Sequence, residues 1–258
     1  MLEVCAIFIA GVWAGGINVI VGSGTLVTFP TLLLFGYSPL VANVSNNIGL
    51  VAGGVSGTYG YRRELEGNKP ILKRLAPASI CGALTGALLL LVLPEAAFKS
   101  IVPVLIAIGV LMVIIGPAIQ RRAARRTAEL GGEHVETTRS RVLLTAGIFV
   151  LGIYGGYFGA AQGVLLAGLM SMILTEGIQR ITAIKNVLST VVNAVAALTF
   201  IAVAWDLIDW KVVALIGSGA LVGGYLGAHV GRRMPAAVLR AMIVVIGVVA
   251  IIKIVFFD

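Results

Sequence analysis

Residues 8–22 read FIAGVWAGGINVIVG, and residues 149–163, which lie 141 positions later, read FVLGIYGGYFGAAQG. Both stretches begin with phenylalanine and have glycine at their fourth, eighth and fifteenth positions. Glycines four residues apart allow two helix backbones to approach closely in a membrane. The same shift aligns Gly82 with Gly223, and each of these glycines is followed by another four residues later. The chain therefore contains an internal repeat.

The composition is typical of an integral membrane protein. The 258 residues are 59% hydrophobic and 12% charged, and the mean hydropathy is +1.05. Soluble domains are about 45–50% apolar and about 25% charged. The net charge of +8 comes from basic residues in short turns between apolar runs, which indicates membrane topology and not nucleic-acid binding. The lipid bilayer is an expected partner, and nucleic acid is not.

Ten apolar segments can be drawn along the chain, five in each half. They lie at 3–21, 24–37, 40–61, 75–93, 98–118, 141–160, 163–176, 181–204, 211–231 and 236–257. Most contain about 20 residues, enough to span the ~30 Å hydrocarbon core as a helix. The second segment of each half is shorter and follows a break, at 22–24 and at 161–163. Because unpaired backbone groups are costly in lipid, we expect these short helices inside the protein.

The basic residues indicate that the two halves are inverted relative to each other. If the N-terminus is outside, 16 of the 19 lysines and arginines fall on the cytoplasmic side. The sequence therefore predicts an all-α polytopic membrane protein of two inverted repeats, with eight to ten membrane segments and one short or broken helix per repeat. The predicted parts are a first repeat at 1–118, a cytoplasmic linker at 119–140 and a second repeat at 141–258, in the plasma (inner) membrane.

Polar side chains within the apolar segments gather at the breaks and at the start of the third segment of each half. The candidate substrate-binding residues are Ser23, Thr25, Asn46, Asn47, Gln162, Lys185, Asn186 and Asn193. The candidate hinge or helix-break glycines are Gly22, Gly24 and Gly163. Short, glycine-interrupted segments at corresponding places of two inverted repeats are typical of secondary transporters, whose site lies near the midplane of the bilayer.

Lys185 is the strongest single candidate. An ionisable residue within a membrane segment is a functional-site hypothesis by default. With Asn186, Ser189 and Asn193 it forms a polar stripe at helical spacing. The alternative is that Lys185, close to Arg180, extends its ammonium group to the cytoplasmic interface. If Lys185 binds substrate, we expect Lys185→Ala to abolish anion binding without loss of folding.

The predicted site suits a small anion. Helices that begin near 23–25 and 162–163 would present free N–H groups and the positive end of the helix dipole. A lysine and several side-chain amides add further donors. No aspartate or glutamate lies deep in any segment, which disfavours a cation site built from carboxylates. Small-residue faces on several helices permit a homodimer without requiring one.

Enzyme and metal chemistry find little support in the sequence. The Gly-Ser-Gly stretch at 22–24 and the distant His229 are similar to parts of an intramembrane serine protease, but the fuller Gly-x-Ser-Gly signature is missing. Cys5 and Cys81 have no metal-ligand spacing and are expected to be small core residues. No Walker loop or dinucleotide fingerprint occurs. We expect no enzymatic activity, no cofactor and no metal site.

Several motifs together point to one family. They are Gly15-Gly16, Gly22-x-Gly24, Pro30 and the stretch 42–47 in the first half, then the glycine-rich stretch 152–163, Ala183-x-Lys185 and the stretch 205–210 in the second. With these motifs the chain resembles the TauE/SafE sulfite exporter family over nearly its whole length. The break at 160–162 is less glycine-rich than the family often has.

The resemblance implies a permease for small sulfur-containing anions such as sulfite, sulfoacetate or thiosulfate. We therefore expect a secondary anion exporter that works by alternating access around a central polar site. A passive anion channel and a cation-coupled uptake carrier are the alternatives.

Overall fold

The computed structural model describes residues 1–129 and 137–229, together with 241, 243–246 and 248–249. Its helices are α1 (Leu2–Ile20), α2 (Thr25–Leu34), α3 (Pro39–Gly60), α4 (Lys69–Val92), α5 (Glu95–Glu129), α6 (Thr138–Tyr157), α7 (Gln162–Ile173), α8 (Ile178–Val203) and α9 (Trp210–His229). Short 3₁₀ turns at Arg62–Leu65 and Trp205–Leu207 follow α3 and α8. No β-strand occurs in these described ranges.

The helices α1 to α9 each overlap one of the first nine of the ten predicted segments. The tenth, 236–257, lies largely outside the described residues. Six helices of the described part are long and apolar enough to cross a membrane, namely α1, α4, α5, α6, α8 and α9. The prediction of an all-α polytopic membrane protein is therefore confirmed.

Helix α5 is longer than the segment predicted at 98–118. It continues to Glu129, and α6 already begins at Thr138, so a large part of the predicted linker 119–140 is helical. The stretch of α5 that is apolar enough to span lipid ends at Arg122. Arginine, alanine and glutamate are good helix formers, so the helix can continue after its apolar part has ended. The change in polarity marks the end of the apolar span but not the end of the helix.

Helix α2 is one of the two short helices and doubles back along α1. Its N-cap Gly24 lies against the backbone of Ala14 in the second half of α1. Just after α2, the hydroxyl of Tyr37 donates a hydrogen bond of 2.7 Å to Glu3 Oε1, near the start of α1. With 10 residues, α2 is ~15 Å long, about half the thickness of the hydrocarbon core. The break between α1 and α2 therefore lies within the protein.

The two halves contact each other through glycine faces. Helix α1 packs against α9, and α4 packs against α6. A Cβ atom at Gly15 would lie 2.3 Å from the carbonyl oxygen of Ala220, and one at Gly156 would lie 2.2 Å from that of Ala83. Only glycine allows the backbones to come so close. The regularly spaced small residues noted in the sequence therefore form the contact between the first half of the chain and the second.

The contacts correct one detail of the repeat. A Cβ atom at Gly82 would lie 2.3 Å from the carbonyl oxygen of Phe149, and one at Gly219 would lie 2.5 Å from that of Phe8. Since Phe8 aligns with Phe149, the structural equivalent of Gly82 is Gly219 and not Gly223. The difference of four residues is about one helical turn, so both alignments place small residues on the same face. The inverted orientation of the halves in a membrane stays a prediction.

The outward faces of the long helices carry large apolar side chains. Leu88 and Val92 on α4 and Leu111 on α5 are 40%, 80% and 50% exposed. Exposed apolar surface of this kind fits contact with lipid. Cys5 and Cys81 are also exposed, so the expectation that they are core residues was wrong. A thiol behaves as a small apolar group and can face lipid as readily as a core.

Candidate functional site

The two helix breaks meet in the structure. The backbone N–H of Gly163 donates a hydrogen bond of 3.0 Å to the carbonyl oxygen of Gly22. Gly22 has φ +90°, in the region that side chains disfavour. A Cβ atom at Gly22 would lie 2.4 Å from the Cα of Gly163, and one at Gly163 would lie 2.5 Å from the Cα of Gly22. Both positions therefore require glycine for close approach of the two breaks.

The break before α7 contains a strained residue that the sequence did not reveal. Ala161 is the N-cap of α7 and has φ 58° and ψ 17°, the left-handed region. This conformation costs an L-residue other than glycine roughly 1–2 kcal/mol. No residue-type signal points to it, because alanine is the best helix former and normally continues a helix. Ala161 thus lies in the break predicted at 161–163, immediately before the candidate Gln162.

Lys185 lies beside the junction of the breaks and is 1% exposed. Its Nζ donates hydrogen bonds of 3.0 Å to the carbonyl oxygens of both Asn18 and Val19, in the last turn of α1. Its Cδ is 3.0 Å from where a Cβ of Gly163 would lie. The alternative of extension to the interface was wrong for this lysine, whereas Arg180 is exposed and pairs with Glu176 at 3.0 Å.

The bonds of Lys185 have a structural consequence. The last carbonyl groups of a helix lack partners within that helix, and a cation near them is favourable. Lys185 of α8 supplies that cation to the end of α1, so one side chain ties the second half to the first. The ammonium group has three N–H donors, and two of them point at these carbonyl oxygens.

Several buried polar atoms near the breaks have no hydrogen-bond partner among the described residues. They are Ser23 Oγ, Asn46 Nδ2, Asn47 Oδ1, Asn186 Nδ2 and Ser189 Oγ. Ser23 and Asn46 are 0% and 1% exposed, and Asn186 and Ser189 are 5% and 8% exposed. Native structures leave few buried polar groups unsatisfied, and each exception calls for an explanation such as a ligand or water. Four of these five residues are candidates from the sequence analysis; Ser189 was noted there only as part of the polar stripe.

The remaining candidates are placed as follows. Asn46 Oδ1 accepts a hydrogen bond from the hydroxyl of Thr28 on α2. Gln162 is turned toward its own half, because its Nε2 donates to the carbonyl oxygen of Leu151 on α6 at 3.2 Å. Thr25 and Asn193 are buried at 7% and 8% exposure. The contacts thus bring together Gly22, Gly163 and Lys185 directly, while Gln162 points toward α6.

The two residues that are similar to parts of a serine protease, Ser23 and His229, differ in their exposure to solvent. Ser23 is fully buried, whereas His229 is exposed at the end of α9, where its Nδ1 is 2.8 Å from the carbonyl oxygen of Tyr225. Within the described part of the chain, no group of three or more His, Cys, Asp and Glu side chains could hold a metal ion.

Comparison with known proteins gives a consistent result. The family model for the sulfite exporter TauE/SafE matches residues 7–254. The chain is 27% identical to the probable membrane transporter protein YfcA of Escherichia coli K12, over 97% of this chain and 88% of the relative. It is 26% identical to the probable membrane transporter protein ORF9 of a Sinorhizobium species, over 96% and 90%. A probable membrane transporter protein of Haemophilus influenzae is 26% identical over 97% and 93%. No solved structure matches the chain significantly.

Proposed function

We propose that this chain, which belongs to the TauE/SafE sulfite exporter family and is a membrane transporter, exports small sulfur-containing anions. Sulfite and organosulfonates such as sulfoacetate are the proposed substrates. The proposed binding residues are Ser23, Thr25, Asn46, Asn47, Gln162, Lys185, Asn186 and Asn193.

One observation supports this proposal above the others. Two buried atoms without a partner in the described chain, Asn186 Nδ2 and Ser189 Oγ, belong to residues one and four positions after Lys185 on α8. A buried donor without an acceptor costs about 1–3 kcal/mol, which a bound anion would offset. Neutral donors and a cation together suit an oxyanion, whose oxygens accept several hydrogen bonds at once.

The proposed mechanism is alternating access around the central polar site, by relative movement of two packed units, α1 with α9 and α4 with α6, each of which contains one helix from either half. The breaks touch at Gly22 and Gly163, and Lys185 ties α8 to the end of α1. These contacts are few and polar, whereas the glycine faces of α1 with α9 and of α4 with α6 are close-packed. We expect movement at the breaks and at the Lys185 tie, while the close-packed helix pairs move as units.

A transport assay distinguishes the proposal from its alternatives. The protein is reconstituted into liposomes, and the counterflow of labelled sulfite, thiosulfate, sulfoacetate, taurine and chloride is measured. An alternating-access carrier shows saturable flux that accelerates when substrate is present on the opposite side. A passive channel shows neither saturation nor counterflow. A cation-coupled uptake carrier requires an imposed sodium or proton gradient.

We expect Asn186→Leu to weaken anion binding without destabilising the protein. Leucine has the same branched arrangement of side-chain heavy atoms as asparagine, and the lost Nδ2 donor has no partner within the described residues. A hydrogen bond to a charged group is worth about 1.5–3 kcal/mol, so the affinity should fall roughly 10- to 100-fold. Removing an unsatisfied buried group should leave the thermal unfolding temperature unchanged or raised.

Thr199→Val on the same helix is the matched control for Asn186→Leu. The hydroxyl of Thr199 donates to the carbonyl oxygen of Val195 at 2.8 Å and belongs to no proposed site. The affinity of the Thr199→Val variant for the anion should equal that of the unmodified protein. A large loss of stability in Asn186→Leu with unchanged affinity would assign Asn186 a purely structural role.

The proposed topology places both termini outside and the linker 119–140 in the cytoplasm, with repeats at 1–118 and 141–258 in the plasma (inner) membrane. Reporter fusions within 130–136 and at the termini test it. A homodimer would need a surface other than the glycine faces, because Gly15, Gly156 and Gly223 are already packed within one chain.

A further inference from the structure

The buried interior of the described part of the chain contains one basic side chain, that of Lys185. Among the described residues, Lys185 is the only charged side chain with less than a tenth of its surface exposed. Of the other charged groups near α8, Arg180 and Asp209 lie at helix ends. The partly buried Glu64 and Arg74, of opposite charge, lie in the 3₁₀ turn after α3 and in the second turn of α4. Any anion that enters this interior is therefore neutralised by at most one full charge from this part of the protein.

The ammonium group of Lys185 is already hydrogen-bonded to backbone carbonyl oxygens of the protein. The ammonium group of Lys185 donates to the carbonyl oxygens of Asn18 and Val19, both at 3.0 Å. These oxygens carry the partial negative charge of the C-terminal end of α1. The positive potential that remains for a ligand is accordingly below that of a free ammonium group.

The remaining donors carry no net charge. These donors are neutral hydroxyl and amide groups that have no partner in the described ranges, and their side chains are at least nine-tenths buried. They are Ser23 Oγ, Asn46 Nδ2, Asn186 Nδ2 and Ser189 Oγ. Such groups can orient and solvate an anion through hydrogen bonds. They do not replace a second cation, because the cost of moving an ion out of water rises with the square of its charge.

We infer that the substrate enters the site as a monovalent anion. The matching chemical class is a sulfonate with one negative charge, or sulfite in its singly protonated form, in preference to sulfite, sulfate or sulfoacetate dianions. This inference rests on the proposed function and makes it more specific, because it predicts which of two similarly shaped anions binds more tightly from their charges. It also predicts that sulfoacetate is a weaker ligand than a sulfonate of equal length without the carboxylate.

Two matched pairs of ligands test the charge of the substrate. Methanesulfonate and sulfate are both tetrahedral at sulfur but carry one and two charges, and 2-hydroxyethanesulfonate and sulfoacetate have the same carbon chain. Binding of each to the purified full-length protein is measured by calorimetry at one pH and one ionic strength. We expect the monovalent member of each pair to bind at least about tenfold more tightly.

Ser189→Ala is the companion variant. It removes a neutral donor, so it should weaken both members of a pair by a similar factor and leave their ratio unchanged. Equal or tighter binding of the dianions by the unmodified protein overturns the inference and leaves the proposed anion transport intact. Absence of binding by all four ligands, together with absence of counterflow for every anion in the transport assay, overturns both.

Discussion

Replacing Lys185 by methionine is expected to abolish detectable anion binding and also to lower the stability of the protein. The first effect follows from the loss of the only buried cation in the described chain. The second follows because the carbonyl oxygens of Asn18 and Val19 would lose their donors in a dry interior. An unsatisfied buried acceptor costs about 1–3 kcal/mol, so the two carbonyls together have a large effect.

Two measurements on Lys185→Met separate these effects. Thermal unfolding in detergent reports the loss of stability, and calorimetry with methanesulfonate, performed well below the unfolding temperature, reports the affinity, expected to fall at least about 100-fold. Lys211→Met provides the control, since Lys211 is an exposed lysine in the first turn of α9 and should change neither quantity.

The structure changes the expectation that Lys185 can be removed without loss of folding. That expectation treated the residue as a ligand alone, whereas its two carbonyl contacts give it a structural role as well. Unchanged stability of Lys185→Met would mean that the carbonyl contacts contribute little. Unchanged affinity would remove Lys185 from the proposed site altogether.

Gly223→Ala is expected to prevent α1 and α9 from packing. A Cβ atom at Gly223 would lie 1.8 Å from the carbonyl oxygen of Val12, far inside the contact distance of real atoms. The obstructing atom is backbone, so relief requires the helices to separate. Overpacking of a core costs about 1–3 kcal/mol and occasionally more, and a clash with backbone should reach the upper end of that range. Monodispersity in size-exclusion chromatography and the unfolding temperature measure the effect.

Gly217→Ala on the same helix is the matched control. A Cβ atom there would lie 3.7 Å from the carbonyl oxygen of Gly49, an ordinary van der Waals distance. Because alanine is favoured over glycine within a helix by about 1 kcal/mol, this variant should be as stable as the unmodified protein or slightly more so. If both variants behave alike, close packing of α1 on α9 is not what holds the halves together.

The helices could be predicted because their cause is local. Apolar runs of about 20 residues have few alternatives to a membrane helix, and the glycines at 22 and 163 interrupt those runs visibly. The end of α5 could not be located in this way, because arginine and glutamate continue a helix as well as they end a membrane span.

The candidate site was predictable by residue type and only partly by position. Asn46 and Asn186 stood out because amides are rare in apolar segments, and both prove to be buried with an unpartnered Nδ2. Gln162 has the same chemistry, yet its amide turns to Leu151. The break at 161–163 was predicted, but the left-handed φ of Ala161 was not, because alanine by itself favours the right-handed helix.

By itself the sequence determined that this is a helical membrane protein with two short helices that follow glycine breaks, since hydrophobic length and glycine placement act over neighbouring residues. Only the tertiary structure decided that Gly22 meets Gly163, that Gly82 corresponds to Gly219, and that Lys185 binds the end of α1. The physical reason is that these features depend on contacts between residues far apart in the chain, and a helical pattern shifted by one turn keeps the same face. Two registers that differ by one turn present the same face, so the sequence pattern does not choose between them. The choice depends on how closely the two helix backbones approach, as in α1 with α9 and α4 with α6.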